Sequence, residues 1–226
     1  LMDAGFDRDK AIAMGCKAGK EAYMSKESIA SLKTAFSGAE KQIINGTDAD
    51  ASGNTGFADA LGTVGDKVIS AGGAVADVQT SVYLIREGDD DVSAVMGNDG
   101  DITMSDMFDN FLVTNQTTGA GYDTFRVSIL GWMGVQMGSV QSAVRIANLD
   151  ATATLDDAEL SKAIAKFPAG KGPSYIVMNR QSLQQLQDSR TATNVTGVPA
   201  PFPTEAFGIP IVVTDSITST EAIVTA

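Results

Sequence analysis

The sequence predicts an α+β fold, and three observations carry that prediction: a proline-free run of helix formers over residues 9–45, strand-like patterning from residue 78, and a helix–strand–helix unit over residues 155–189. In the first run, Ile29, Leu32, Phe36, Ala39 and Ile43 recur at three- and four-residue steps, which places one apolar stripe on a helix. Asn45-Gly46 supplies the stop, because both residues tolerate a left-handed backbone after a helix. Gly15, Gly19 and Gly38 weaken the run at about 1 kcal/mol each relative to alanine, and a break is expected between Gly15 and Gly19. Unbroken, the run would measure about 55 Å at 1.5 Å per residue, the length of a strut.

Residues 47–73, rich in Gly, Ala, Ser, Asn and Asp, read as a loop or boundary. Residues 78–86 and 92–96 read as strands around the turn Gly88-Asp89-Asp90-Asp91. Alternating apolar residues over 125–130 and 133–146, interrupted by Gly131, Gly134 and Gly138, predict a bent or bulged sheet. Thr154-Leu155-Asp156-Asp157 then caps a helix that runs to Phe167 and ends at Pro168. Gly172-Pro173 leads into the short buried strand Tyr175-Ile176-Val177-Met178. Asn179 caps a second helix over 181–189 that turns Leu183 and Leu186 inward. Pro199, Pro201 and Pro203 stiffen a loop, and residues 208–213 open a final strand region. No repeat of 20–50 residues is visible, which argues against a solenoid.

Composition excludes much chemistry. The 226 residues include no histidine, so a Ser-His-Asp triad, a Cys-His pair or a His-ligated zinc cannot form within the chain. A single cysteine, Cys16, rules out an internal disulfide and a multi-thiolate metal site. A net charge of −12 and a pI near 4.3 argue against a surface that grips nucleic acid. The charge is uneven: basic residues slightly outnumber acidic ones up to Gly46, and all the net negative charge lies beyond it. Such polarity can steer like subunits head to tail. No stretch approaches the roughly 20 apolar residues of a membrane span, and no membrane partner is expected. Leu1 stands where an initiator methionine would, which predicts additional chain upstream.

The remaining candidates for chemistry are weak. Glu87, Asp89, Asp90 and Asp91 could offer oxygens to Ca²⁺ or Mg²⁺, but acids commonly occupy turns and the spacing is not that of an EF-hand. Gly97-Asn98-Asp99-Gly100-Asp101 resembles a calcium-binding turn only in a single copy. The glycines at 119–121 and 131–138 lack the Lys-Ser/Thr ending of a phosphate-binding loop. Cys16 has no base to activate it, Lys17 and Glu21 form an ordinary helix-surface pair, and Trp132 beside Met133 reads as core. No catalytic constellation, metal or cofactor is predicted, and an architectural protein becomes the leading class.

Particular segments then carry a resemblance. Gln42-Ile43-Ile44-Asn45-Gly46-Thr47 at the end of the long helix, Gly56-Phe57-Ala58-Asp59-Ala60-Leu61, Tyr175-Ile176-Val177-Met178-Asn179-Arg180 and Gly208-Ile209-Pro210-Ile211-Val212-Val213 resemble tailed-bacteriophage major capsid proteins of the Hong Kong 97 type over most of the chain. The resemblance implies a long spine helix, a P-domain sheet and an A domain. Residues 1–60 would belong to the P domain, 61–148 to a P-domain sheet in permuted order, and 149–226 to the A domain. It implies capsomer contacts near the loop 191–207, with Asn179, Arg180, Arg190, Pro199, Pro201 and Pro203 as candidates. The family's N-terminal arm, extended E loop and cross-linking lysine loop are not visible in these residues, and the chain starts almost at the spine helix.

The function so implied is structural, not enzymatic: pentamers and hexamers closing into an icosahedral virion shell around double-stranded DNA, without sequence-specific binding. Lys26 and Lys33 on the more basic helix are candidates for pairing with acidic neighbouring subunits. The expected partners are further copies of the chain, portal and scaffolding proteins and a decoration protein, with assembly in the bacterial host cytoplasm. The alternative is an encapsulin-like compartment shell of the same fold.

Overall fold

The helical run breaks where its glycines predicted. In the computed structural model, α1 spans Lys10–Met14 and α2 spans Lys20–Asn45, separated by a turn in which Gly19 takes φ 87°. Asp9 caps α1 by accepting the backbone N–H groups of Ala11 and Ile12. The structure describes residues 1–47, 53–114, 117–195 and 198–226, which form two units. One comprises Leu1–Glu40 and Val95–Gly134, the other Lys41–Ala94 and Val135–Ala226.

In the first unit, strands Phe6–Asp9, Gly121–Val127 and Phe108–Thr114 form an antiparallel sheet with Gly121–Val127 at its centre. A second small sheet sets Ile129–Gly131 between Met2–Asp3 and Thr103–Met104. Phe6, Ala13, Met24, Phe125, Val127 and Ile129 make the core, with Tyr23, Leu32 and Ala35 packed against it. Lys10 and Lys20 both lie over the ring of Phe125, at 5.6 and 5.4 Å. The helix is tied down by Ser31, whose hydroxyl donates to the Ala4 carbonyl at 2.6 Å, and by Arg8, whose Nε donates to Glu27 at 2.6 Å.

The predicted stripe is met in part, with Leu32 and Ile43 packed against buried clusters. Tyr23, Met24, Leu32 and Ala35 face the core, whereas Ile29 and Phe36 are 55% and 42% exposed. Two faces of α2 carry apolar residues, and periodicity cannot choose between them.

The second unit carries a short helix, α3 (Phe57–Ala60), and is built on a mixed six-stranded sheet in the order Glu205–Ala206, Ile209–Val213, Tyr175–Met178, Thr80–Ile85, Ala143–Leu149, Val68–Ser70. Val82 lies opposite Ile146 and Leu84 opposite Val144, so these side chains share one face with Ile176 and Met178. That face packs under α4 (Asp157–Ile164) and α5 (Arg180–Ala192), through Leu155, Leu160, Ala163 and Leu186. Tyr83, Ala143 and Ala147 point the other way, into a core with Ile44, Phe57, Leu61, Val68 and Ile217. Burial on both faces explains why five of the seven residues of Ala143–Leu149 are apolar, the exceptions being Arg145 and Asn148.

Both predicted caps form. Asp156 accepts the N–H of Glu159 at 2.7 Å, and Asn179 accepts that of Ser182 at 2.9 Å. The helices run Asp157–Ile164 and Arg180–Ala192, the first shorter and the second longer than expected.

The units interleave along the chain instead of following the consecutive ranges 1–60, 61–148 and 149–226. Strands Thr80–Ile85 and Ala143–Leu149 share a sheet with Tyr175–Met178, and residues 95–134 belong to the unit that holds most of α2. The stretch 61–148 expected as one permuted P-domain sheet is divided between the two units, its strands within 95–134 lying in the unit that holds most of α2. Strand patterning marks a strand but not its partner, and the partner here is fixed by burial on both faces. Among the described residues no helix is long and apolar enough to cross a membrane.

Candidate functional site

Several charged residues of the second unit, among them Arg86, Arg145 and Asp150, hold backbone in place. Arg145, 3% exposed in the middle of the sheet, donates Nε to Ser81 Oγ at 2.9 Å and Nη1 to the carbonyls of Ala58 and Leu61 at 3.0 and 2.9 Å. Its Nη2 reaches Glu221 Oε2 at 2.9 Å, and its guanidinium lies 5.6 Å from the Tyr83 ring centroid. Burial pushes the Tyr83 phenol well above its ordinary pKa.

Glu221 belongs to a segment, residues 216–225, that runs as a strap without regular structure. Asn45 donates to the Ser216 carbonyl at 2.7 Å, Asn179 to the Ser219 hydroxyl at 3.1 Å, and Asn148 to the Val224 carbonyl at 2.9 Å. The Glu221 N–H donates to the Gln79 carbonyl at 2.9 Å. A segment with no periodicity is thus fixed one side-chain hydrogen bond at a time.

The acidic turn is structural. Asp91 accepts from Arg86 Nε at 2.8 Å and from Ser142 Oγ at 2.7 Å, and a second Arg86 nitrogen pairs with its other oxygen. The Arg86 guanidinium, and then the Ser142 hydroxyl, hold the Asp91 carboxyl down to about 2. Backbone and hydroxyl donors from Ala153 and Thr152 likewise hold Asp150 far below the ordinary carboxylate range. Among the described residues no group of three or more Cys, Asp or Glu is placed to hold a metal ion.

The lowered value of Asp91 has a defined sign. An unfolded chain binds this proton more readily, so the contribution of the Arg86–Asp91 pair is whole above the ordinary carboxylate range and is lost as pH falls toward about 2. Asp91→Asn is expected to flatten the stability–pH curve in that window, measured by urea unfolding between pH 5 and 2; an unchanged acid limb would show that other carboxylates govern it.

The candidate contact residues separate into two groups. Asn179 is buried and fully engaged as the α5 cap and as a donor to Thr80 and Ser219, so it is no surface residue; a cap signal and a surface signal look alike in sequence. Arg190 is half-buried, its guanidinium paired with Asp157 at 2.7 and 2.9 Å and bonded to the Glu205 carbonyl at 3.4 Å. Arg180 is exposed and pairs with Asp215 at 2.8 Å. Pro199 and Pro201 are exposed and Pro203 half-buried. Gln187 and Thr191 clamp their loop at Ala200, at 2.6 and 2.9 Å; residues 196–197 of the expected 191–207 contact loop lie outside the described residues.

In the first unit Lys26 and Lys33 are exposed and make no ion pair among the described residues. They flank Ile29 and Phe36 on the outer face of α2. Beside Ile29 an open apolar groove of about 520 Å³ is lined by Met24, Leu32, Met104 and Ile129.

Neither Arg145 nor the strap is among the candidates named from the sequence. A lone arginine inside Ala143-Val144-Arg145-Ile146-Ala147 was the available signal, since such a charge needs a buried partner.

The long helix α2 and the six-stranded sheet covered on one face by α4 and α5 are elements of the α+β Hong Kong 97-type capsid fold. The chain aligns with a chain from a near-atomic cryo-EM structure of bacteriophage Epsilon15 with a TM-score of 0.72 at 17% identity, covering 99% of this chain and 73% of that one. A family model described as major capsid protein GP7 matches residues 7–225, and the chain belongs to that family. It is a structural component of a bacteriophage virion, assembling into its shell. A comparison with curated proteins gives no match.

Proposed function

We propose that the protein forms pentamers and hexamers of an icosahedral shell that encloses double-stranded DNA. The observation that carries this reading is the capsid-family match across residues 7–225. In this reading the unit holding most of α2 is the P domain with α2 as its spine helix, and the unit with the six-stranded sheet is the A domain. Arg180 and the proline loop at Pro199, Pro201 and Pro203 meet neighbours within a capsomer, with Arg190 bracing that loop from behind. The acidic surface fits a container that must not hold its packed DNA tightly. Portal, scaffolding and decoration proteins are the further partners, and assembly takes place in the host cytoplasm. The family match favours this virion shell over an encapsulin-like compartment.

Electron microscopy with sedimentation of the full-length protein, alone and with a scaffolding protein, tests the reading. Closed shells or five- and six-membered rings are expected; a monodisperse small species under every condition would sink it.

Lys26 and Lys33, which make no ion pair among the described residues of an acidic chain, support a role in steering acidic neighbours. Reversing both charges, Lys26→Glu with Lys33→Glu, is expected to slow assembly several-fold at low salt and much less at high salt, read by light scattering. Assembly kinetics indifferent to both changes would remove that role.

A further inference from the structure

The hairpin joining Glu205–Ala206 to Ile209–Val213 turns on only two residues, and both are left-handed: Phe207 at φ 54° and Gly208 at φ 76°. This is the turn that matches strand twist, and its first position ordinarily holds Asn, Asp or Gly. A bulky side chain there is a genuine outlier, and such strain persists at sites with another use for the residue. Burial does not supply that use within the folded chain, because Phe207 is 59% exposed and belongs to no core.

The hairpin continues into an uncovered patch. Ile176 lies beside Ile211 and Val177 beside Val212, and Ile176, Ile209 and Ile211 point into the core under α4 and α5. Alternation therefore turns Tyr175, Pro210 and Val212 to the opposite face, where Tyr175 is 39% and Val212 44% exposed. Just beyond the paired strand ends Met178 and Val213, the exposed pair Arg180 and Asp215 carries both signs of charge.

We propose that the Phe207 tip of one copy seats on the Tyr175, Pro210 and Val212 face of the next copy, a head-to-tail contact that closes rings. The proposal rests on the shell reading, which makes identical chains the neighbours. Each copy offers both a tip and a seat, as a head-to-tail contact between identical chains requires, and Arg180 and Asp215 offer both signs of charge to a neighbour. An aromatic side chain held rigidly at a turn loses little freedom on docking, which suits it as an anchor.

The test uses the full-length protein with Phe207→Asn, Val212→Thr and, as a control, Val140→Thr at a residue 77% exposed elsewhere. Phe207→Asn relieves the turn, so the unassembled subunit is expected to melt about 2–4 °C higher. The concentration needed for half-assembly is expected to rise roughly tenfold or more. Val212→Thr, which leaves the turn alone, should weaken assembly without the gain in melting temperature, and Val140→Thr should do neither. Assembly of Phe207→Asn at the wild-type concentration overturns the proposal, and so does wild-type assembly of Val212→Thr should Phe207→Asn fail to fold. A wild-type chain that never assembles overturns the shell reading together with the proposal, so the two failures are distinct.

Discussion

Arg145→Ala is expected to cost about 3–5 kcal/mol of folding stability, a large part of what a domain possesses. The guanidinium joins the central sheet to the short helix Phe57–Ala60 with its cap Leu61, and to the strap, through Ser81, Ala58, Leu61 and Glu221. Truncation leaves the Glu221 carboxylate, 11% exposed and with Oε1 already lacking a partner, buried without its counter-charge. It also strips two carbonyls of their donor. The double variant Arg145→Met with Glu221→Leu removes both charges and should recover part of the loss, because an apolar pair carries no desolvation cost. Urea unfolding of the two singles and the double measures this; a single variant within 1 kcal/mol of wild type would mean that the ion pair only breaks even against solvent.

The second large effect is expected from Gly46→Ala, about 3 kcal/mol or more of destabilisation. A Cβ on Gly46 would fall against the carbonyl oxygens of Asn54 and Gln42, nearer than real Cβ atoms approach. One on Gly56 would lie 2.5 Å from the Gly46 nitrogen and 2.8 Å from the Ile44 oxygen. The two glycines touch backbone to backbone, with the Gly56 N–H donating to the Gly46 carbonyl at 2.9 Å. No flexible side chain can yield there. Gly38 provides the contrast, since its Cβ would meet nothing within 4 Å and alanine at this helical position should stabilise by roughly 0.5–1 kcal/mol. Opposite signs from two glycines bracketing the end of one helix, read by thermal denaturation, would establish close approach as the cause.

Gly46 also shows how far the sequence can be read. It marks the helix end correctly, yet its φ is not left-handed; the reason for glycine is a neighbour eight residues downstream, which local chemistry does not announce. The break between Gly15 and Gly19, the caps at Asp156 and Asn179 and the strand Tyr175–Met178 were legible because each is decided within a few residues. Strand partners and the strap were not, since they are decided by contacts between segments far apart in sequence. The candidate contacts divided on the same line. Arg180, Pro199 and Pro201 lie exposed and Pro203 half-buried, Asn179 is consumed by its cap, and Phe207, at the end of the 191–207 loop, has its signal in a two-residue Phe-Gly link between strands.

The interleaving of the two units bears on how the protein is made. The chain leaves the first unit at Glu40, returns at Val95 and leaves again after Gly134, so no single cut yields either unit whole. On the ribosome, the central strand Thr80–Ile85 must wait for Ala143–Leu149 and Tyr175–Met178, and Arg145 waits for Glu221. Native contacts over such separations make folding slow and leave sheet edges bare meanwhile. A nascent subunit crowded among identical copies is therefore vulnerable to pairing with the wrong chain, and the interval in which a chaperone can help extends almost until translation reaches Glu221.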